Sequence, residues 1–151
     1  MSFNKCQWIV PHFKKFFYSV AVEDWNRLYL ADASSNLRSF IPRIDPSFIS
    51  SIGCRLSPAA IQFVTVHGVF SPWFARTVPG FPVRCKDCGS DQDDPMHVLF
   101  DCPVWNTLRR QLLPEACRER PNDLLLPHSL PAFNAFCGAV LEVRRLTYSY
   151  T

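Results

Sequence analysis

Three cysteines and one histidine fall within a single short stretch, CKDCGSDQDDPMHVLFDCPVW, in the order Cys85, Cys88, His97 and Cys102. The spacing Cys-x2-Cys-x8-His-x4-Cys offers three thiolates and one imidazole, a donor set that suits one tetrahedral Zn²⁺. A Cys-x2-Cys pair can clamp one ion only where the backbone turns tightly between the thiolates, and Gly89 permits the positive φ such a turn wants. Asp94 is placed to cap a helix and Pro95 to occupy its first position, which puts His97 in the first turn and Cys102 near the end. Four protein ligands leave no open position for water or substrate, so the expected role of the metal is structural. The alternative gives these residues ordinary duties, cysteine as a small buried hydrophobe and histidine as a core or surface residue. A Cys-x2-Cys pair followed by a second ligand pair favours the metal. Cys6, Cys54, Cys117 and Cys137 have no partner at ligand spacing and read as buried hydrophobes.

These ligands need a scaffold, and the rest of the chain reads as mainly α: short helices around one CCHC zinc knuckle, with a Pro-rich extended segment near residues 38–52. Between Phe3 and Leu30, Phe13, Phe16, Phe17, Val20, Trp25, Leu28 and Tyr29 recur at helical spacing around Pro11, predicting one or two helices. Pro42 and Pro46 argue against helix in the segment that follows and favour extended chain. Ser57 as N-cap and Pro58 at the first position open the clearest helix, with Ala60, Phe63, Val64 and His67 on one stripe and Gly68 near its stop. Pro103 can open another helix, through Leu113 and ended before Pro114. The last helix is expected from about Pro131 to Leu146, with Ala132, Phe136, Ala139, Val140 and Val143 on one face. Arg144 and Arg145 would complement the negative end of its dipole. The expected division is a helical N-terminal segment at 1–35, an extended connector at 36–56 and a helix plus knuckle at 57–113. A Pro-rich linker at 114–130 and a C-terminal helix and tail at 131–151 complete it.

The chain has 151 residues, 48% of them hydrophobic and only 19% charged, with 13 prolines. That is enough to bury a core, and it suits short helices joined by proline-marked turns. No run of about 18 apolar residues exists to cross a membrane, and the start carries no secretory h-region before Pro11. Seven cysteines, an odd number, without an Asn-x-Ser/Thr sequon argue for a reducing, intracellular setting, nucleus or cytoplasm.

Charge divides the chain. From Cys85 to Cys102 one lysine faces five aspartates, a formal −4 in a chain of net +3, so the remainder carries +7. Phosphate affinity cannot come from the knuckle itself. Arg76, Arg84 and Lys86 lie just before or within it and Arg109, Arg110, Arg118 and Arg120 after it, with Trp73, Phe74, Phe81 and Trp105 as stacking candidates for RNA or DNA. The alternative is a solvated surface over an aromatic core. Asp91, Asp93 and Asp94 do not make a calcium loop, because Pro95 and Met96 occupy the fifth and sixth positions. A nuclease using those three carboxylates is the remaining enzymatic rival. No glycine loop for nucleotides is present, and His67 has no sequence feature that pairs it with a cysteine nucleophile.

The stretches LSPAAIQFVTVHGVFSPWFARTVPGFPVRCKDCG and HVLFDCPVWNTLRRQL resemble the C-terminal region of the polyprotein of non-LTR, LINE-type retrotransposons of arthropods. Thr65, His67 and Gly68 match a helix end that precedes the knuckle, with Val66 standing where the family has glycine. Cys85, Cys88, His97 and Cys102 match its metal ligands, and Pro103 and Trp105 its exit. The resemblance runs from about Trp25 to Leu146 and is specific from Leu56 to Leu112. It implies a non-catalytic zinc-binding domain downstream of a reverse transcriptase, serving target or template nucleic acid. The palm and catalytic carboxylates of that RNA-directed DNA polymerase are not among these residues. Two rivals stand beside this expectation: a zinc-scaffolded module that docks on a reverse transcriptase body or another protein, and a non-functional retrotransposon remnant.

Overall fold

A computed structural model describes residues 6–32, 36–53, 55–117 and 120–149. Helix α1 spans Cys6–Ala31, and Pro11 lies within it, so the N-terminal pattern is one helix. Two short helices follow, α2 at Leu37–Phe40 and α3 at Pro46–Gly53. Next come α4 at Pro58–Thr65 and α5 at Ser71–Thr77. A π-helical turn at His97–Asp101 and a 3-10 turn at Pro103–Trp105 lead into α6 at Asn106–Leu112. Two further 3-10 turns, Glu115–Cys117 and Pro121–Leu125, precede the long α7 at Leu130–Ser149. The fold is mainly α, and no strand occurs among the described residues.

The extended segment expected across 38–52 is confined to the link from Ile41 to Asp45, which holds Pro42, while Pro46 sits where a helix tolerates it. Pro46 opens α3, and the Asp45 carboxylate accepts the amides of Ser47 and Phe48 at 2.9 and 3.3 Å, capping the turn. A missing N–H costs nothing at the first position, where it would be unpaired anyway. A hydrogen bond from the Ser47 hydroxyl, with those from the two cap amides, holds the Asp45 carboxyl below its ordinary pKa. Nor is this region a mere connector, since Phe40, Ile41 and Ile52 belong to the main core. The expected linker at 114–130 likewise gives Cys117, Leu124 and Leu125 to the core. Helix α5 was not anticipated, although Pro72 inside its first turn is a start signal of the same kind.

Ser57 caps α4 as expected, its Oγ accepting the Ala60 amide at 3.1 Å. The helix stops on Val66 at φ 57, a left-handed cap, followed by Gly68 at φ 116. The core is aromatic at its centre. Phe63 from α4 stands edge-on to Phe70, Phe133 and Phe136 at centroid distances of 5.2, 6.4 and 6.2 Å. Phe40 packs on Phe133 at 5.9 Å. Every one of these rings is fully buried. Helix α7 therefore lies against α4, and Asn134 ties their ends by accepting the Ser57 amide and donating to the Arg55 carbonyl, each at 2.9 Å.

Candidate metal centre

The chain approaches the site out of α5. A turn at Gly80 lets Phe81 stack on Phe74 with ring centroids 5.2 Å apart. Cys85 then opens a tight loop in which the Gly89 amide donates to the Cys85 carbonyl and the Cys85 amide to the Ser90 carbonyl, both at 2.7 Å. Gly89 has φ 80, the left-handed conformation its position requires. The second pair of ligands comes from the far side of the loop. Asp94 Oδ1 accepts the His97 amide at 2.9 Å, as a capping residue should.

The turn then widens. The Cys102 amide reaches back to the His97 carbonyl at 2.7 Å, five residues away. In a regular α-helix, at about 3.6 residues per turn, residues five apart would point roughly 140° away from each other. The π-helical turn removes most of that divergence and sets His97 and Cys102 on one side. Ligand atoms of Cys85, Cys88, His97 and Cys102 all lie within 4.8 Å of one another, and together they could hold a metal ion. Cys88 Sγ is 3.2 Å from His97 Nε2, so the imidazole presents Nε2 to the cluster. None of the described cysteines forms a disulfide.

Burial shapes the chemistry of these ligands. Cys85 and Cys102 are fully buried and belong to the hydrophobic core, while Cys88 is half-buried at its rim. Desolvation pushes the Cys85 thiol up to about 12 and raises that of Cys102. A buried thiolate is unfavourable alone, and a bound cation removes that penalty by supplying the opposite charge. Cys137 is also buried, its thiol raised well above the ordinary value, but it lies in the core on α7 and not in the cluster. Cys6 and Cys54 lie where no side-chain placement is described.

Around the ligands runs a polar network that the sequence did not disclose, and its hub is Arg144. Its guanidinium is fully buried and donates to Asp87 Oδ2 at 2.7 Å, Asp93 Oδ1 at 2.6 Å and the Val69 carbonyl at 2.9 Å. Its Nη2 also lies 3.4 Å from Cys85 Sγ, and its Cζ sits over the Phe70 ring, 5.1 Å from the centroid. Burial alone would lower the Arg144 pKa, but Asp93 and Asp87 more than offset it and hold it above the ordinary value. Asp93 Oδ2 accepts the Ser71 amide at 2.7 Å, and Asp87 Oδ2 accepts the Trp105 indole N–H at 2.8 Å. Arg144 is therefore no dipole complement at an exposed helix end. It extends the buried stripe Phe133, Phe136, Cys137, Val140 and Leu141 by one further helical step. A cation in line with an apolar stripe, in a chain with an acidic knuckle, was the signal to follow.

Two of the expected nucleic-acid contacts are corrected by this packing. Arg109 is buried, and its Nη2 donates to the carbonyls of Val98 and Cys102 at 3.2 and 2.9 Å, so it braces the ligand turn from behind. Trp105 is only 7% exposed and committed to Asp87, leaving no face for a base. Arg76 and Arg110 are exposed. Arg84 is exposed in an ion pair with Asp91 at 3.3 Å, a type of contact worth little in water. Lys86 sits 5.6 Å above the Phe81 ring. Trp73 is half-buried and packs on His67 with centroids 4.4 Å apart. Arg118 falls outside the described residues. Arg76, His67, Thr65 and Asp94 line one shallow recess, and Arg84 and Lys86 line another with Gly89 and Asp91. Among the described residues no helix is long and apolar enough to cross a membrane. Compared with models of protein families, with curated proteins and with solved structures, the chain finds no match.

Proposed function

We propose that this chain is a non-catalytic zinc-binding domain, akin to the C-terminal tail of a LINE-type reverse transcriptase, that assists RNA or DNA binding. The observation that carries the zinc is the convergence of three sulfurs and one imidazole nitrogen within 4.8 Å at the edge of the core. Such a donor set fits tetrahedral Zn²⁺, and ligand distances of about 2.3 Å to sulfur and 2.0 Å to nitrogen suit a cluster this compact. When bound, the ion supplies fold energy and no reaction chemistry, since the protein fills all four positions.

Support for nucleic acid is electrostatic. Asp87 and Asp93 turn inward to Arg144, so the knuckle presents less negative charge to solvent than its composition suggests. Arg76, Arg84 and Arg110 remain exposed around it. A second reading has its own observation: on α1, Phe16, Phe17, Tyr18, Trp25 and Leu28 are each more than half exposed, a surface suited to docking on a reverse transcriptase body or another protein.

Elemental analysis of purified protein tests the metal, with one zinc per chain expected and loss of helical circular dichroism on chelation. A folded chain without zinc would end this reading. Titration with RNA and DNA at rising salt then separates the two roles. Affinity that falls steeply with salt supports phosphate contacts, and binding indifferent to salt favours apolar docking. Cleavage that requires Mg²⁺ and vanishes on substituting Asp91, Asp93 and Asp94 would instead establish the nuclease.

A further inference from the structure

We propose that Arg144 is the outer positioning partner of the metal site, so that zinc affinity and the docking of the C-terminal turns of α7 are linked. This rests on the zinc-binding reading above and goes beyond it, because it assigns part of the site to a residue 42 positions past the last ligand.

The argument begins with charge. Three thiolates on one divalent ion carry a net charge of −1, held here among Val98, Leu99 and other core side chains. A buried negative centre requires an opposite charge or strong donors nearby. Arg144 Nη2 supplies both at 3.4 Å from Cys85 Sγ. The guanidinium is held in that position, since Asp87 Oδ2, Asp93 Oδ1 and the Val69 carbonyl take its other N–H groups and its Cζ lies over the Phe70 ring. Asp87 lies inside the Cys85–Cys88 loop itself, so the clamp grips the knuckle backbone as well as the sulfur. Arg109 does the corresponding work behind Cys102 through the carbonyls of Val98 and Cys102, and it comes from the adjacent α6. Arg144 alone of the two carries the tie to α7. Outer partners of this kind orient ligands and tune their basicity, and losing one typically weakens metal binding about 10–100-fold.

Substituting Arg144 alone would strand two buried carboxylates, so the test removes them together: Arg144→Met with Asp87→Asn and Asp93→Asn. Asparagine keeps an acceptor oxygen for the Trp105 indole and the Ser71 amide. Zinc affinity is measured by competition with a chelator, and the thiolate-to-metal charge-transfer band is read after Co²⁺ substitution. Expected are zinc binding about 10–100-fold weaker in a folded protein and a shifted cobalt band. Wild-type affinity with an unshifted band would make Arg144 a purely structural partner of the aspartates and overturn the proposal. Hydrogen exchange on the unaltered protein decides independently of whether that variant folds. Removing zinc should speed exchange of the amides from Val140 to Thr147 together with those of the knuckle. If the wild type takes up zinc and those α7 amides ignore its removal, the linkage is wrong while the zinc reading stands. If the wild type takes up no zinc, both fall.

Discussion

Helices α1 and α7, of 26 and 20 residues, are both rich in apolar side chains, yet they meet solvent in opposite ways. Helix α7 gathers Phe133, Phe136, Cys137, Val140 and Leu141 on one stripe, and all five are buried. In α1 the apolar residues at helical spacing stay largely open to solvent: Phe16, Phe17 and Trp25 are more than half exposed and Leu28 is 73% exposed. What attaches α1 to the body is polar. Asn26 accepts the Ile44 amide at 2.7 Å and donates to its carbonyl at 2.9 Å, while the Tyr29 hydroxyl donates to the Ile41 carbonyl at 2.6 Å. The same residue types thus serve as core where their period matches a neighbour and as open surface where it does not.

The largest expected effect leaves α1 aside and strikes the α7 side alone. Cys88→Ser should abolish zinc retention and unfold the central region, read as lost helical signal and faster exchange around the knuckle, because the binding energy of a structural metal is folding energy. Exchange from Phe16 to Trp25 should change least. Phe136→Ala should cost about 3–5 kcal/mol in chemical denaturation, since it empties a fully buried aromatic position. Asn26→Ala should cost about 1–3 kcal/mol and expose the Ile44 amide to exchange, because it strands a buried donor and acceptor. Phe17→Ala on the open face should stay within about 0.5 kcal/mol. A loss above about 1 kcal/mol there would show that face to be covered in solution and break the contrast.

The smallest effect concerns the cap of α3. Asp45 has a lowered pKa, so its contribution to stability is present above its unfolded value of 3.8 and is lost as pH falls through the folded value. Wild type should therefore melt slightly above Asp45→Asn at neutral pH, and the gap should close in acid. A gap that persisted well below 3.8, in acid strong enough to protonate the folded carboxyl, would show that the cap does not depend on the carboxylate charge.

Much of the metal site was legible because its signals are local. Ligand spacing, the positive φ at Gly89 and the Asp94 cap all act within a few residues, and the structure brings Cys85, Cys88, His97 and Cys102 together as that pattern requires. The α4 start was legible for the same reason. What escaped depends on distance or on a rule with two faces. Pro46 reads as a breaker or as a helix opener, and the Asp45 carboxylate decides between them. Arg109 and Arg144 read as surface cations by type, and only packing shows them inside. Asp87 and Asp93 likewise counted toward an acidic loop until a partner more than fifty residues away claimed them.

The buried guanidinium of Arg144 also settles how little of this chain can stand alone. A fragment covering 57–113 would keep every ligand and the turns that aim them, and by the usual bookkeeping it would be the minimal zinc module. It would also leave Asp87 and Asp93 without the cation that pairs them, and Phe63 open to water without Phe133 and Phe136 to cover it. Excision after the last candidate ligand would therefore part the cluster from Arg144 and from the α7 half of the aromatic core.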